Sequence, residues 1–177
     1  MYKPYVLGIT VFFLIVVTLF SGCISSANVI TPPPASKEHA SFYLSTGGVT
    51  AVAAAETTLV LNEESKNSDS SIFYLSSNTI TVNKTSTYLI IGECYFNTGG
   101  SSRSEYTIWL EQNNVDVNGT RSGIYERGYD SGSTGCFSII IPVIDGDVFK
   151  MQIQRTDGGA TTGYQDNYGT RLSFIEI

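Results

Sequence analysis

The sequence predicts an all-β protein whose residues 41–177 fold as a two-sheet antiparallel sandwich or barrel. Short stretches rich in Tyr, Thr and Ile alternate apolar with polar residues, as strands with one buried face do. Segments rich in Gly and Asn separate these stretches and are typical of turns. The hydrophobic fraction of 42% is sufficient for a packed core, and no stretch after residue 40 keeps a helical period.

Residues 1–22 have a different composition from the rest of the chain. Lys3 lies near the start, no further charge occurs before Lys37, and residues 6–20 are almost purely apolar. This pattern favours a secretory signal peptide, with a short basic region ahead of a long apolar one. An uncleaved membrane anchor over residues 5–24 stays open, because about 20 apolar residues can span a bilayer.

The apolar segment ends in "LFSGC", which resembles the lipobox of bacterial and archaeal lipoproteins. In a lipobox, small residues precede a cysteine that is lipidated and becomes the new N-terminus. The resemblance implies lipid attachment at Cys23. Each of these interpretations exports the rest of the chain, so we expect a membrane-anchored protein with an extracytoplasmic or virion-surface domain.

Residues 23–40 are predicted to form a stalk. The consecutive residues Pro32, Pro33 and Pro34 favour a stiff, extended polyproline geometry. His39, the only histidine of the sequence, falls in this segment. The stalk is expected to hold the following domain away from a membrane.

The predicted strands follow one another after residue 40. The first four are "SFYLS", "TAVAAAETTLVL", "SSIFYLSSNTITV" and "STYLIIGECYFN". In the third, alternation is expected to involve Ile72, Tyr74, Ile80 and Val82. The sequence "SEYTIWLEQNN" alternates cleanly and places on one face Tyr106, Ile108 and Leu110, and on the other Thr107, Trp109 and Glu111. The last strands are "GCFSIIIPVIDGD" with Phe137, Ile139 and Ile141, "DVFKMQIQRT" with Val148, Met151 and Ile153, and the closing "TRLSFIEI".

The order of these stretches resembles the C1q/TNF-like jelly-roll domain. "NKTSTYLIIGECYF" looks like the G-x-Y-x-I/F strand of that family, and "YTIWLEQNN" looks like the strand that follows it. "CFSIIIPVIDGDVFKMQI" looks like its Ser-rich strand and G-D-x-[VF] element, carried here by Gly146, Asp147 and Phe149. "YGTRLSFIEI" looks like its closing strand but lacks the internal glycine that the family often has there. This difference places the chain nearer to the divergent microbial and viral members.

The resemblance implies a jelly roll in which the closing strand pairs beside the first strand. Both ends of the domain would then lie at one end of the sandwich, with the opposite loops facing outward. It also implies a homotrimer. We therefore expect a membrane-tethered binding or structural module, adhesin-like or virion-spike-like. A monomeric, lectin-like jelly roll that binds carbohydrate is the alternative.

The composition favours a non-enzymatic role. His39 lies in the predicted stalk, so a Ser or Cys nucleophile in the domain has no histidine base. The net charge of −6 provides no electrostatic footprint for nucleic acid. Asp145 and Asp147 flank a glycine, which favours a tight turn. A calcium site with Asp157 or Asp166 stays open as the alternative, and no other metal or cofactor is expected.

Three further sets of residues are candidates for modification or binding. Cys94 and Cys136 remain once Cys23 is assigned to lipid, and the resemblance places their strands side by side, so a disulfide and two buried thiols are both open. Asn83 and Asn118 begin glycosylation sequons. The long loop "NGTRSGIYERGYDSGSTG" offers as ligand-binding residues Tyr125, Arg127, Tyr129 and Asp130, for an unidentified protein or glycan.

Overall fold

A computed structural model describes residues 37–46, 48–50, 55–97, 103–126, 132–159 and 163–177, all within one unit, Lys37–Ile177. These residues form strands and turns without a helix, which confirms the predicted fold class. The strands are β1 (His39–Tyr43), β2 (Gly48–Thr50), β3 (Thr57–Thr58), β4 (Glu63–Asn67), β5 (Phe73–Ser76), β6 (Thr79–Val82), β7 (Ser86–Asn97), β8 (Ser104–Gln112), β9 (Val115–Asp116), β10 (Ser122–Glu126), β11 (Ser133–Val143), β12 (Asp147–Gly158) and β13 (Gly163–Glu176).

The strands form two antiparallel sheets. Sheet A has the order β11-β7-β13-β1-β4, with β2 paired to β13. Sheet B has the order β10-β8-β12-β6-β5, with β3 paired to β12 and β9 to β8. Most neighbours in the two sheets are not consecutive in sequence, as in a jelly roll, whereas β5–β6 and β8–β9 are hairpins.

Aromatic side chains from both sheets meet in the core. Phe174 of β13 contacts the rings of Phe42 in sheet A and of Phe73 and Phe149 in sheet B, with centroid separations of 5.4–6.5 Å. All four rings are fully buried. Aromatic pairs at such separations add to the stability that burial alone provides. Phe174 therefore joins the two sheets through direct contacts.

Strand β13 is bonded on both edges, to β1 and to β7. Its pairing with β1 confirms that the closing strand lies beside the first. The register sets His39 opposite Ile175, so the start of β1 and the end of β13 lie together at what we call the proximal end. The opposite, distal end is where Asn97, Glu126 and Gly158 end their strands.

The structure corrects several details of the sequence interpretation. His39 belongs to β1, because its backbone joins the ladder with β13, and so it is not part of the stalk. Phe149 rather than Val148 points into the core. Tyr74 points to solvent, because the left-handed residues Ser77 and Asn78 form a hairpin turn that resets the alternation before Ile80.

The apolar segment 1–22, Cys23 and the three prolines lie outside the described residues. Among the residues that the structure does describe, none belongs to a helix long and apolar enough to cross a membrane.

Candidate functional site

An aliphatic patch lies on the outer face of sheet A. It consists of Leu89, Ile91, Ile140 and Ile175. Leu89 pairs directly with Ile140 on one side and with Ile175 on the other, so three strands contribute to one row. Ile91 follows in the next row of β7. The exposed fractions of Ile91, Ile140 and Ile175 are 37%, 60% and 39%. A contiguous group of exposed isoleucines is typical of an interaction surface.

Polar residues border the aliphatic patch on the same face. Ser41 and Ser173 share a hydrogen bond of 2.9 Å beside Ile91. The next row carries Glu93 and Arg171, whose charged groups are 3.9 Å apart and well exposed. An apolar centre with a polar border is the usual anatomy of a protein–protein interface.

The two thiols of the domain do not form the disulfide that the sequence left open. Cys94 is buried and Cys136 is exposed, and both are free. Their strands are adjacent as expected, but Cys94 lies opposite Gly135, whereas Cys136 lies opposite Glu93. A shift of one residue places the side chains on opposite faces of sheet A. Burial raises the pKa of the Cys94 thiol to about 12, against a weak opposing hydrogen bond from Thr170.

A second candidate surface, the distal groove, lies on the outer face of sheet B. It comprises Glu105, Thr107, Gly123, Tyr125, Thr156 and Asp157. One hollow of about 260 Å³ lies over Gly123, and an adjoining hollow of about 210 Å³ reaches toward Arg103 and Gly158. Both hollows are lined by Glu105 and Tyr125, so these two residues stand between them.

The hollow over Gly123 exists because a side chain is missing there. Arg121, which directly precedes β10, is followed on this face by Gly123 and Tyr125 of that strand. Gly123 lies opposite Thr107, and Tyr125 lies opposite Glu105. A Cβ atom built on Gly123 would meet no atom within 4 Å, so the space above it is open. A larger side chain at this position would occupy part of the hollow.

The next row of the same face is formed by Arg121 and Trp109. The guanidinium of Arg121 lies 4.4 Å from the centre of the indole ring and also forms an ion pair with Asp116. Trp109 is fully buried, although its side chain is on the outer face of sheet B. Its neighbours Ile108 and Leu110 point the other way, into the core between the two sheets. Such a cation–π contact stabilises the pair and positions the arginine beside the hollow.

The sequence-predicted binding loop is only partly described. Tyr125 is 41% exposed and contributes to the distal groove. Arg127, Tyr129 and Asp130 lie outside the described residues. The sequence interpretation missed Gly123 and Glu105; the signal for Gly123 was a glycine inside an alternating strand, which often marks a close approach of a ligand.

Asp145 and Asp147 form a turn, as favoured from the sequence. The backbone NH of Asp147 donates to Ile144, and Gly146 has the positive φ of 90° that this turn requires. Burial alone would raise the pKa of Asp147, but hydrogen bonds from the Ile144 backbone, Asn113 and Gln112 outweigh it and lower this pKa. Its carboxylate oxygens are thus used within the protein, and the described residues contain no cluster of three metal-ligating side chains.

The two sequons lie in different surroundings. Asn83 is exposed, and its side-chain amide donates to the Ser71 carbonyl at 3.1 Å. Asn118 is exposed in a turn, but the hydroxyl of Thr120 is buried, donates to the Val117 carbonyl and accepts from the Leu110 NH. In the folded domain, the Asn83 sequon is therefore the more accessible of the two.

Comparison with solved structures finds this architecture in jelly-roll proteins of the TNF family. Murine APRIL at pH 8.5 aligns with a TM-score of 0.54 and 12% identity, over 80% of this chain and 100% of that chain. Eiger TNF from S. frugiperda aligns with a TM-score of 0.54 and 11% identity, over 80% of this chain and 92% of that chain. No protein-family model matches the sequence, and no curated protein does. The domain thus has the TNF-like jelly-roll fold.

Proposed function

We propose that this chain is a membrane-tethered, surface-exposed binding or structural module that associates as a homotrimer through the aliphatic patch. The observation that carries the proposal is the row formed by Ile140, Leu89 and Ile175 across three neighbouring strands of sheet A. Association would remove this row from water. Full burial of an exposed isoleucine is worth about 1.5–3 kcal/mol, and the isoleucines of the patch are 37–60% exposed, so each would contribute roughly half of that value. The C1q/TNF-like resemblance supports three copies as the state of association.

Trimerisation would give the domain a multivalent distal end. The described chain enters at the proximal end, and the strand ends Asn97, Glu126 and Gly158 lie at the distal end. A trimer would present three copies of the distal end to the same ligand-bearing surface. Linked copies raise the overall avidity without requiring a tight single site, which suits an adhesin-like or spike-like role.

The oligomeric state of residues 37–177 tests the trimer directly. Sedimentation equilibrium is expected to give three times the mass of one chain. Ile91→Glu places a charge in the aliphatic patch and is expected to give one third of that mass, because an unpaired carboxylate would be buried in the contact.

Val115→Glu serves as the matched control. Val115 is 69% exposed on β9 of sheet B, so the same charge there is expected to leave the trimer intact. A wild-type domain that sediments as a monomer at micromolar concentration would overturn the trimer. Dissociation by both variants would show that the aliphatic patch is not the contact.

The tether is proposed from the residues that precede Lys37, with lipid attached at Cys23. Cys23→Ser in the full chain is expected to abolish incorporation of a radiolabelled fatty acid and to stop the processing that removes residues 1–22, because the thiol is the acylated group. Unchanged processing and partitioning would instead favour a membrane-spanning anchor or an ordinary signal peptide.

The second candidate is the monomeric, lectin-like jelly roll. The distal groove favours it, because the groove is complete within one chain and lies on sheet B, away from the aliphatic patch. A domain that stays monomeric and binds immobilised glycans would place this candidate first.

A further inference from the structure

We infer that the distal groove is a binding site for a neutral saccharide of about two sugar units. The inference rests on the binding role proposed above, but not on the trimer. It is carried by three features on one face of sheet B: an open hollow over Gly123, an exposed aromatic ring at Tyr125, and a set of oxygen atoms around both.

The dimensions of the groove set the size of the ligand. Its two hollows measure about 260 and 210 Å³ and share Glu105 and Tyr125 as their common border. Small-molecule sites typically occupy about 300–1,000 Å³, so the two hollows together are at the low end of that range. One sugar ring per hollow, joined across Tyr125, matches this division.

Tyr125 and Gly123 supply the surface on which a sugar ring can lie. The C–H faces of a sugar are apolar, and an aromatic side chain provides a rigid apolar area with a polar tip. Tyr125 is 41% exposed, and its neighbour two residues away on the same face is Gly123, above which the space is open. A ring placed over Gly123 would therefore contact Tyr125 on one side and approach Arg121 on the other.

The polar residues of the groove favour hydroxyl groups and disfavour anions. Glu105 and Asp157 bring carboxylate oxygens, which accept hydrogen bonds from sugar hydroxyls and repel phosphate, sulfate or a sialic acid carboxylate. Thr107 and Thr156 add hydroxyls that both donate and accept. Arg103 borders the far hollow, and Arg121 beside the near hollow is already paired with Asp116.

Trp109 provides an internal reporter for occupancy. It is the only tryptophan of the sequence, and Arg121 lies on its ring one row away from Gly123. A sugar over Gly123 would displace water beside Arg121 and alter the surroundings of the indole. Binding should therefore change the tryptophan emission in a saturable way.

The experiment titrates residues 37–177 with lactose, cellobiose, chitobiose and mannobiose, and follows tryptophan emission and amide chemical shifts. At least one disaccharide is expected to bind with a dissociation constant on the order of 1 mM, as suits a shallow site. Its sialylated form is expected to bind at least tenfold more weakly at low salt. If none of the four produces a saturable change in either measurement, the inference is wrong.

Two substitutions test the position of the site. Gly123→Val narrows the hollow with a residue that strands favour, and its Cβ atom meets no neighbour within 4 Å, so the melting temperature should hold while binding falls at least tenfold. Tyr125→Ala removes the aromatic surface and should have a similar effect on binding. Tyr74→Ala is the matched control, because Tyr74 is also exposed on the outer face of sheet B, but at the opposite edge strand.

The outcomes separate this inference from the trimer. Loss of binding in Gly123→Val and Tyr125→Ala, with binding retained in Tyr74→Ala and in the monomeric Ile91→Glu, supports a saccharide site within one chain. Wild-type affinity in Gly123→Val, or an equal loss in Tyr74→Ala, overturns the position of the site. Neither result depends on whether the aliphatic patch holds three copies together.

Discussion

At the scale of single residues, a register shift of one position decides the chemistry of the two thiols. The C1q/TNF-like resemblance predicts that the strands with "GECYF" and "TGCFS" are adjacent, but they could pair in two registers, because both alternate in the same way. The structure sets Cys94 opposite Gly135 and Cys136 opposite Glu93, one residue away from the register that would place the two cysteines opposite each other. The adjacency was therefore predictable from sequence, whereas the free thiols were not.

This difference predicts very unequal thiol reactivity. In the folded, unreduced domain, Cys136 is expected to react with a maleimide reagent in minutes, while Cys94 reacts at least a hundredfold more slowly, because it is buried and its pKa is raised to about 12. Mass spectrometry after timed labelling measures both rates. Cys136→Ser removes the fast site and serves as the control. Detection of a peptide that links the two cysteines would contradict the structure.

The burial of Glu126 predicts that the folded domain becomes less stable as the pH rises from about 4.5 to 7. Its side chain is fully buried at the end of β10, and burial raises its pKa to about 7, partly offset by the backbone NH of Ser133. Above pH 4.5, the unfolded chain releases this proton while the folded chain retains it. Below pH 4.5, Glu126 therefore does not reduce the free energy of unfolding. As the pH rises to 7, this free energy falls by about 1–3 kcal/mol.

Glu126→Gln isolates this contribution. The variant is expected to melt close to wild type at pH 5 and above it at pH 8, since the neutral amide avoids the buried charge. Other carboxyls act in both proteins alike and cancel in the difference; Glu176, for example, has its pKa lowered to about 2, mainly by the hydrogen bond from Lys84. A difference between variant and wild type that does not change with pH would refute the role of Glu126.

At the scale of elements, strands with one buried face were predictable, and an edge strand was not. The alternation in "SEYTIWLEQNN" places Tyr106, Ile108 and Leu110 in the core as expected. Strand β4, "EESKN", contains no large apolar residue and is exposed along nearly its whole length. It forms because its backbone pairs with β1 at the edge of sheet A, and charged side chains are common at such edges. A polar edge strand has no hydrophobic alternation from which the strand could be predicted.

The candidate surfaces were also only partly predictable from the sequence. Tyr125 could be proposed from its composition and loop context, but the groove depends on which residues lie opposite it across two strands. Glu105 and Asp157 come together with it through the pairing of β8 with β10 and β12. A β-bulge beside Arg155 shifts that pairing by one residue, and nothing in the local sequence sets its position.

The packing of β7 at Gly92 can be tested with a single substitution. A Cβ atom at this position would lie within van der Waals overlap of the Phe137 ring, whose strand pairs directly with it. Gly92→Ala is expected to destabilise the domain by about 1–3 kcal/mol, as overpacking does in well-filled cores. Urea denaturation gives the change in the free energy of unfolding.

A second substitution checks the cause. Phe137→Leu removes the ring from above Gly92, so Gly92→Ala should destabilise the Phe137→Leu background less than it destabilises the wild type. Additive effects in this double-mutant cycle would show that the ring contact is not responsible.

At the scale of the whole molecule, the topology joins sequence-distant strands into one cooperative unit. The composition and strand order predicted the sandwich, and the resemblance predicted that β13 lies beside β1. The particular contacts that couple the sheets were not predictable, because they depend on which side chains of four strands meet. Phe174 makes such contacts with Phe73 and Phe149 of sheet B from its place in sheet A.

This coupling predicts that both sheets unfold together. Phe174→Leu in sheet A is expected to lower the urea midpoint measured by Trp109 fluorescence in sheet B by the same amount as the midpoint measured by circular dichroism. The expected destabilisation is about 1–3 kcal/mol, since part of a buried aromatic side chain is lost. A fluorescence midpoint that stays in place while the dichroism midpoint moves would contradict the coupling.

The pairing of β1 on both edges, with β13 and with β4, has a mechanical consequence. A force that pulls on the chain ahead of Lys37 acts along the axis of β1, away from the distal end. The ladder bonds lie across that axis, so they resist together in shear and do not open one after another. If the domain is tethered through its N-terminal side as proposed, β1 is the strand that transmits the tension to the rest of the sandwich.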